Sequence, residues 1–237
     1  MRRDEMTNEV SDRVVRWHGG EKKAEIIVKH SGVDVEISLP DRPDYIVNCI
    51  VGFNCFYECD LLDYIRIEHP NQKTIVDVGA NIGNHVRFFE TFVNHDSLVC
   101  FEPDADNYAT LARNARSPKT RVYRVALGDG YKRVSLSQQV NDNCGSMTVT
   151  AGEDVSMVPL DACNLRDVTL LKIDVEGYEL PVLRGGLNTI KRDRPRIFLE
   201  LTKEVDEIFA LFGQIGYAVG FVFEWNGIKT FEFYPKV

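Results

Sequence analysis

No apolar run of about 18 residues, the length that crosses a bilayer as a helix, occurs in this 237-residue chain. The opening Met1-Arg2-Arg3-Asp4-Glu5 carries no apolar core of a secretion signal. A cytoplasmic location without a membrane span is therefore expected. Cations are in deficit, with 28 Lys and Arg against 36 Asp and Glu and a net charge of −8. A broad phosphate-binding face needs clustered Lys and Arg, so nucleic acid is not the expected partner. A small molecule or a neutral glycan stays open. Cys55 and Cys59 are four apart, but neither a second matched pair nor a nearby His completes a zinc set with them. Reduced structural thiols are the expectation for all six cysteines. The chain also has no GxGxxG spacing at its glycine turn and no GKS/T, which argues against a dinucleotide fold and against a phosphate-gripping loop.

The chain is organised around Thr74-Ile75-Val76-Asp77-Val78-Gly79-Ala80-Asn81-Ile82-Gly83-Asn84-His85. Residues 74–78 form a β-branched run that reads as a buried strand. The turn Asp77-x-Gly79-x-Asn81-x-Gly83 follows, then a helical pattern with Ile82, Val86, Phe89 and Val93 on one face. Glycines at Gly79 and Gly83 let the backbone pass close under a ligand. Ser97-Leu98-Val99-Cys100-Phe101-Glu102 is a second apolar strand ending on a carboxylate. In doubly wound folds an acid at that strand end takes the ribose hydroxyls of an adenosine. Asp104 is placed to cap the next helix, which carries Tyr108, Leu111 and Ala115. Asp77 at the turn is a poor neighbour for a pyrophosphate and a good one for an ammonium group. An adenosine bearing an amino acid fits best, and that ligand is S-adenosylmethionine.

Val76-Asp77-Val78-Gly79-Ala80-Asn81-Ile82-Gly83-Asn84-His85, then Phe101-Glu102-Pro103, then Leu171-Lys172-Ile173-Asp174-Val175-Glu176-Gly177-Tyr178-Glu179 together resemble the FkbM family of methyltransferases. The resemblance runs over roughly residues 56–201, and the third block is what narrows it to this family. It implies that Asp77, Gly79, Asn81, Gly83, Asn84, Glu102 and Pro103 bind S-adenosylmethionine. Ala126-Leu127-Gly128-Asp129-Gly130, a turn by sequence, resembles the family's loop against the adenine. Phe56-Tyr57-Glu58 resembles an aromatic-acid block that precedes the cofactor strand, with Glu58 either covering the methionine end or merely exposed. Asn143-x-Gly145-Ser146 resembles a further family element. The acceptors implied are hydroxyls of sugars, glycans or polyketide-like natural products, methylated on oxygen.

The rest of the chain alternates strands and helices. Residues 1–20 are polar and expected to fray. Residues 25–30 and 33–39 form a hairpin around Ser31-Gly32, Pro40 and Pro43 break the pattern, and 54–67 reads as one helix. Strands follow near 120–125, 131–137, 146–150 and 157–160, the middle ones joined by the polar loop 141–145 in what looks like an insertion. Residues 168–174 are a buried strand. The helix after it holds Leu180, Leu183, Leu187 and Ile190, with Gly185-Gly186 marking a break or a close packing contact. A strand at 196–201, a helix at 204–215 and a hairpin of 217–223 and 228–234 around Asn226-Gly227 complete the chain. The expected fold is α/β, a class I methyltransferase (Rossmann-like) doubly wound sheet, mostly parallel with an antiparallel C-terminal hairpin. Residues 1–72 are expected as an accessory region with a lid role, and 73–237 as the cofactor-binding catalytic domain.

The catalytic candidates are Asp174, Glu176 and His85. Asp174 and Glu176 fall at a strand end, where ligands of such sheets bind. The competing reading makes Asp174 a helix N-cap and Glu176 a partner of the helix dipole. His85 either packs locally at the helix start or accepts a proton. Glu179 reads as a helix surface residue, and Phe88, Phe89 and Phe92 as core. No metal-ligand set is assigned; a divalent metal stays possible if Asp129, Asp174 and Glu200 converge. Two rival functions are a Rossmann oxidoreductase and a cofactor-binding module without catalysis.

Overall fold

The computed structural model describes residues 13–18, 21–42, 44–138, 147–225 and 227–236. Its centre is a seven-stranded sheet. From one edge to the other it runs β13 (Tyr217–Trp225), β14 (Ile228–Pro235), β12 (Arg196–Leu201), β11 (Val168–Ile173), β4 (Asn71–Val78), β5 (Asn94–Phe101) and β6 (Thr120–Tyr123). The five strands from β12 to β6 are parallel, and only β14 runs against its neighbours. Helical connections fall on both faces, as the strand–helix alternation requires. The order reverses between β4 and β11, so the crevice at their carboxyl ends is where a ligand belongs.

Period-two alternation divides the core into two layers. Ile75, Leu170 and Phe198 face a layer with α1 (Tyr45–Phe53), α2 (Cys59–Glu68), α3 (Asn84–Phe92) and α4 (Ala105–Asn114). Val76, Val78, Leu171, Ile173, Ile197 and Leu199 face the other layer. That layer holds α5 (Glu179–Gly185), α6 (Leu187–Asp193) and α7 (Val205–Gln214). The same alternation brings Asp77, Lys172 and Glu200 onto the first face, near the strand ends. Lys172 pairs in register with Asp77 on one side and Phe198 on the other.

The N-terminal strands β2 (Glu21–His30) and β3 (Val33–Leu39) form the expected hairpin, and β1 (Arg13–His18) adds a third antiparallel strand where fraying was expected. Alternation in β3 buries Val35, Ile37 and Leu39 in the first core layer, together with Ile26 and Val28. Asn114 of α4 fastens the hairpin: its Oδ1 accepts the Ser38 N–H at 2.8 Å, and its Nδ2 donates to Ser38 O at 2.9 Å and Ile82 O at 2.7 Å.

Other expectations need correcting. The single helix over 54–67 is two helices with a break, because Asn54 and Glu58 both adopt left-handed backbone (φ 47° and 57°). Phe56-Tyr57-Glu58 thus lies in the connection ahead of α2. The first helix, α1, was hidden behind Pro40 and Pro43; its start is set by Asp44, whose side chain accepts the Val47 N–H. Ala126-Leu127 is a short strand, β7, rather than a turn. It pairs in parallel with β10 (Val155–Val158), in a small sheet with β8 (Lys132–Gln138) and β9 (Met147–Ala151). Leu160–Cys163 is a 3-10 turn. The helix after β11 does break at Gly186. Gly185 allows a close approach there: a Cβ would collide with the Gly128 carbonyl oxygen. Residues 1–12, where fraying was expected, residues 141–145, expected as a loop, Ser146 and the Asn143-x-Gly145-Ser146 element lie outside the described residues, as does Asn226.

Candidate active site

A cleft opens at the carboxyl ends of the parallel strands, over β5, β4, β11 and β12. It takes in about 900 Å³ counted with its open mouth. The glycine turn forms its floor. Gly79 has φ 81° and no room for a side chain, since a Cβ would collide with the Asp174 carbonyl oxygen. Gly79 N–H and Ala80 N–H both donate to Phe101 O, and Asp174 N–H donates to Val78 O. The ends of β4, β5 and β11 are therefore tied into one surface.

Glu102, just past β5, lines the cleft and is 5% exposed. Its Oε2 accepts the Asn81 N–H and its Oε1 the Asp104 N–H, both at 2.8 Å. Burial pushes its pKa up to about 8 against these two backbone N–H bonds. Each oxygen keeps a lone pair for a ligand hydroxyl. Asn81, with φ 49°, also lines the cleft, and its buried Oδ1 has no hydrogen-bond partner among the described residues. Pro103, Ala126, Leu136, Met147, Val149 and Tyr178 add a mostly apolar wall. A carboxylate with free lone pairs, an amide oxygen wanting a donor and an apolar slot fit an adenosine.

The other end of the cleft is acidic. Asp174, Glu176 and Glu200 line it beside Tyr45, Tyr57 and Ile228. One carboxylate oxygen from each of the three acids lies within 4.8 Å of the others. Lys172, 3% exposed, donates from Nζ to Asp174 Oδ2 at 3.1 Å. Burial alone would lower the Lys172 pKa, but the charges of Asp174, Asp77, Glu58 and Glu200 outweigh it and raise it. Burial first, then the charge of Asp174, pushes Glu200 up to about 10 and Glu176 up to about 7. Glu176 holds left-handed backbone (φ 54°) directly before Gly177 (φ 90°).

The capping reading of Asp174 does not apply. Helix α5 begins at Glu179, its N-cap residue is Tyr178, and no side chain caps it. Glu179 is a correction: it is 1% exposed rather than on the surface, because its Oε1 accepts the Gly177 N–H at 2.8 Å. Asp129 stays away from the cluster, paired with Lys132 at 2.7 Å. The carboxylate that joins Asp174 and Glu200 is Glu176.

Five sequence candidates do not line the cleft but sit around it. Asp77 is fully buried with neither oxygen hydrogen-bonded among the described residues, and burial raises its pKa to about 6. Gly83 packs on Leu111 and Asn114. Asn84 spends its amide on the backbone of Tyr57, accepting its N–H and donating to its O, both at 3.1 Å. His85 lies 3.3 Å from Glu58 Oε2. Burial, then Lys172, holds His85 well below its usual pKa, so the ring is neutral; burial lifts Glu58 to about 7. Asn84 and His85 therefore support Tyr57 and Glu58 from behind.

Sequence reasoning assigned no role to Lys172 or Tyr57. The available signal for Lys172 was a charge inside the apolar run Val168-Thr169-Leu170-Leu171-Lys172-Ile173, and for Glu200 the same anomaly in Arg196-Ile197-Phe198-Leu199-Glu200-Leu201. A charge in a buried strand needs partners, and Lys172 finds one in Asp174 at 3.1 Å.

The sheet order and the cleft at its switch point define a class I methyltransferase fold. The chain belongs to the Methyltransferase FkbM domain family, which matches residues 77–219. It is 28% identical over 145 residues to the hexuronic acid methyltransferase AglP of Haloferax volcanii, covering 56% of this chain and 58% of that protein. Among solved structures it resembles a methyltransferase FkbM from Methylobacillus flagellatus KT, with a TM-score of 0.53 and 21% identity. That match covers 70% of this chain and 44% of the other. The chain thus spans about half the length of the relatives it matches. Among the described residues no helix is long and apolar enough to cross a membrane.

Proposed function

We propose that this protein is an S-adenosylmethionine-dependent O-methyltransferase acting on a hydroxyl of a sugar, glycan or natural product. The observation that carries the reading is one cleft lined by Glu102 and Asn81 past β5 and β4 and by Asp174, Glu176 and Glu200 past β11 and β12. Glu102 takes the ribose hydroxyls, Asn81 Oδ1 accepts a donor from the cofactor, and Gly79 keeps the floor flat beneath it. The acceptor hydroxyl enters beside Tyr57 and the acid cluster. Its oxygen attacks the methyl carbon in line as the carbon–sulfur bond breaks. The electron pair stays on sulfur, which loses its positive charge, and the hydroxyl proton is released at the acid cluster. A carboxylate near pKa 7, as Glu176 is, suits proton acceptance at neutral pH. Orientation of donor and acceptor supplies the larger share of the rate. A sugar acceptor is favoured by the name of the Haloferax relative.

Calorimetric titration with S-adenosylhomocysteine is the first test. Binding is expected, and Glu102→Ala should weaken it by roughly 1–3 kcal/mol, the worth of two ribose hydrogen bonds. Equal affinity in the variant would remove the ribose assignment. Methyl transfer from labelled donor to a panel of hexoses and hexuronic acids then tests the acceptor class.

A further inference from the structure

We infer that Asp174, Glu176 and Glu200 form a divalent-cation site at the acceptor end of the cleft. Two observations support it independently. The first is spacing: one oxygen from each residue lies within 4.8 Å of the others. Opposite ligands on a cation bound at calcium-like distances stand about 4.6–5.2 Å apart, and on magnesium about 4.0–4.2 Å. The set thus closes on a cation by side-chain rotation alone. The second is an orphaned atom. Glu200 is 6% exposed, its Oε1 is buried without a hydrogen-bond partner among the described residues, and it shares the cleft wall with the other two acids.

The charges point the same way. Lys172 is the cation already present, and it is engaged with Asp174 Oδ2, leaving Oδ1 to turn to a metal. Glu176 and Glu200 have no basic partner of their own within ion-pair distance among the described residues. Three carboxylates are hard oxygen ligands, the set that takes Mg²⁺, Mn²⁺ or Ca²⁺ rather than a soft metal. The site begins at Asp174, beside the Gly79 floor, and extends from there away from Glu102. Glu200 lies on β12, three strands from β5 and Glu102, which is about 14 Å at the usual strand spacing. A cation here would hold the acceptor oxygen and favour its alkoxide, with the proton released to solvent. It would also let an acidic sugar approach a wall of carboxylates that otherwise repels it.

The test uses the full chain, freed of metal with EDTA and then dialysed, and titrated with MnCl₂ while the free-ion EPR signal is followed. One bound Mn²⁺ per chain is expected, displaced by excess Mg²⁺ or Ca²⁺. Glu176→Gln and Glu200→Gln should each weaken binding at least tenfold. Glu176 is only half-buried, so its variant keeps the test valid if the Glu200 variant fails to fold. Absence of Mn²⁺ binding, or unchanged affinity in Glu176→Gln, overturns the site. S-adenosylhomocysteine should leave Mn²⁺ affinity unchanged or raise it; competition between the two would mean that the acids hold the cofactor's own cationic groups, and would also overturn it. Cofactor binding measured in EDTA tests the methyltransferase reading separately, so one can fail without the other.

Discussion

At the scale of single residues, the acid cluster is where chemistry and stability separate most cleanly. Neither Asp174 nor Glu176 caps a helix, so their isosteric amides should leave the fold intact. Asp174→Asn and Glu176→Gln are expected to slow single-turnover methyl transfer by about 10²–10⁴, with S-adenosylhomocysteine affinity within a few-fold of the parent. A thermal melt beside each rate is the control. Normal turnover in both variants would remove the cluster from the reaction. Lys172 behaves differently because it is a buried cation set among Asp174, Asp77, Glu58 and Glu200. Lys172→Met leaves Asp174 without its ion pair, and loss of one partner of a buried pair costs about 3–5 kcal/mol. That cost should shrink at pH 6, where Asp77, Glu58 and Glu176 more readily hold protons. Melts of Lys172→Met at pH 6 and pH 8 check this; an equal loss at both would mean that the lysine acts through packing alone.

At the scale of elements, the buried amides of Asn84 and Asn114 do much of the joining. Asn84 fixes the backbone of Tyr57, and Asn114 fixes both the hairpin strand β3 and the glycine turn at Ile82. Asn114→Ala would leave the Ser38 N–H, Ser38 O and Ile82 O short of a partner inside the core, so a loss of roughly 2–4 kcal/mol is expected. Denaturant unfolding measures it, and a loss below about 0.5 kcal/mol, the usual scatter for surface changes, would contradict the clamp. The hairpin is built into the core: Val28, Val35 and Ile37 are at most 1% exposed. Among the described residues of 1–72, Tyr45, Ile46 and Tyr57 reach the cleft. Elements carrying strong local signals were legible in the sequence: the glycine turn, the Asp104 cap, the strand Arg196–Leu201 and the break at Gly186. Helix α1 was not, because two prolines precede a short helix whose one signal is the Asp44 cap. Nor was the turn through Phe56-Tyr57-Glu58, since non-glycine left-handed residues leave no pattern in composition. The acid cluster was half legible. Strand ends could be located, but convergence of Glu176 rather than Asp129 depends on how the chain turns after β11.

At the scale of the whole molecule, the buried acids set how stability responds to pH. In an unfolded chain Asp and Glu ionise near pH 3.9–4.3, as model peptides do. In the fold, Asp77 keeps its proton up to about 6, Glu58 and Glu176 to about 7, Glu102 to about 8 and Glu200 to about 10. The fold therefore binds more protons than the unfolded chain across this range, and its stability falls as pH rises. The contribution is complete below the unfolded pKa values and is lost as pH climbs through the folded ones. Neutral, buried His85 acts oppositely, but only as pH falls below about 6.5. Glu232 is pulled down to about 2: burial opposes this, but bonds from His69, the Phe221 N–H and Arg196 prevail, so it is ionised throughout. The ligand-free protein should melt at a higher temperature at pH 6.5 than at pH 8.5; the reverse order would refute the assigned protonation. One contact reaches further than its size suggests. Because the Gly79 floor presses on the Asp174 carbonyl oxygen, the seat proposed for the donor and the carboxylates proposed to meet the acceptor are machined from one piece. The gap between them is a fixed gauge, set before either guest arrives.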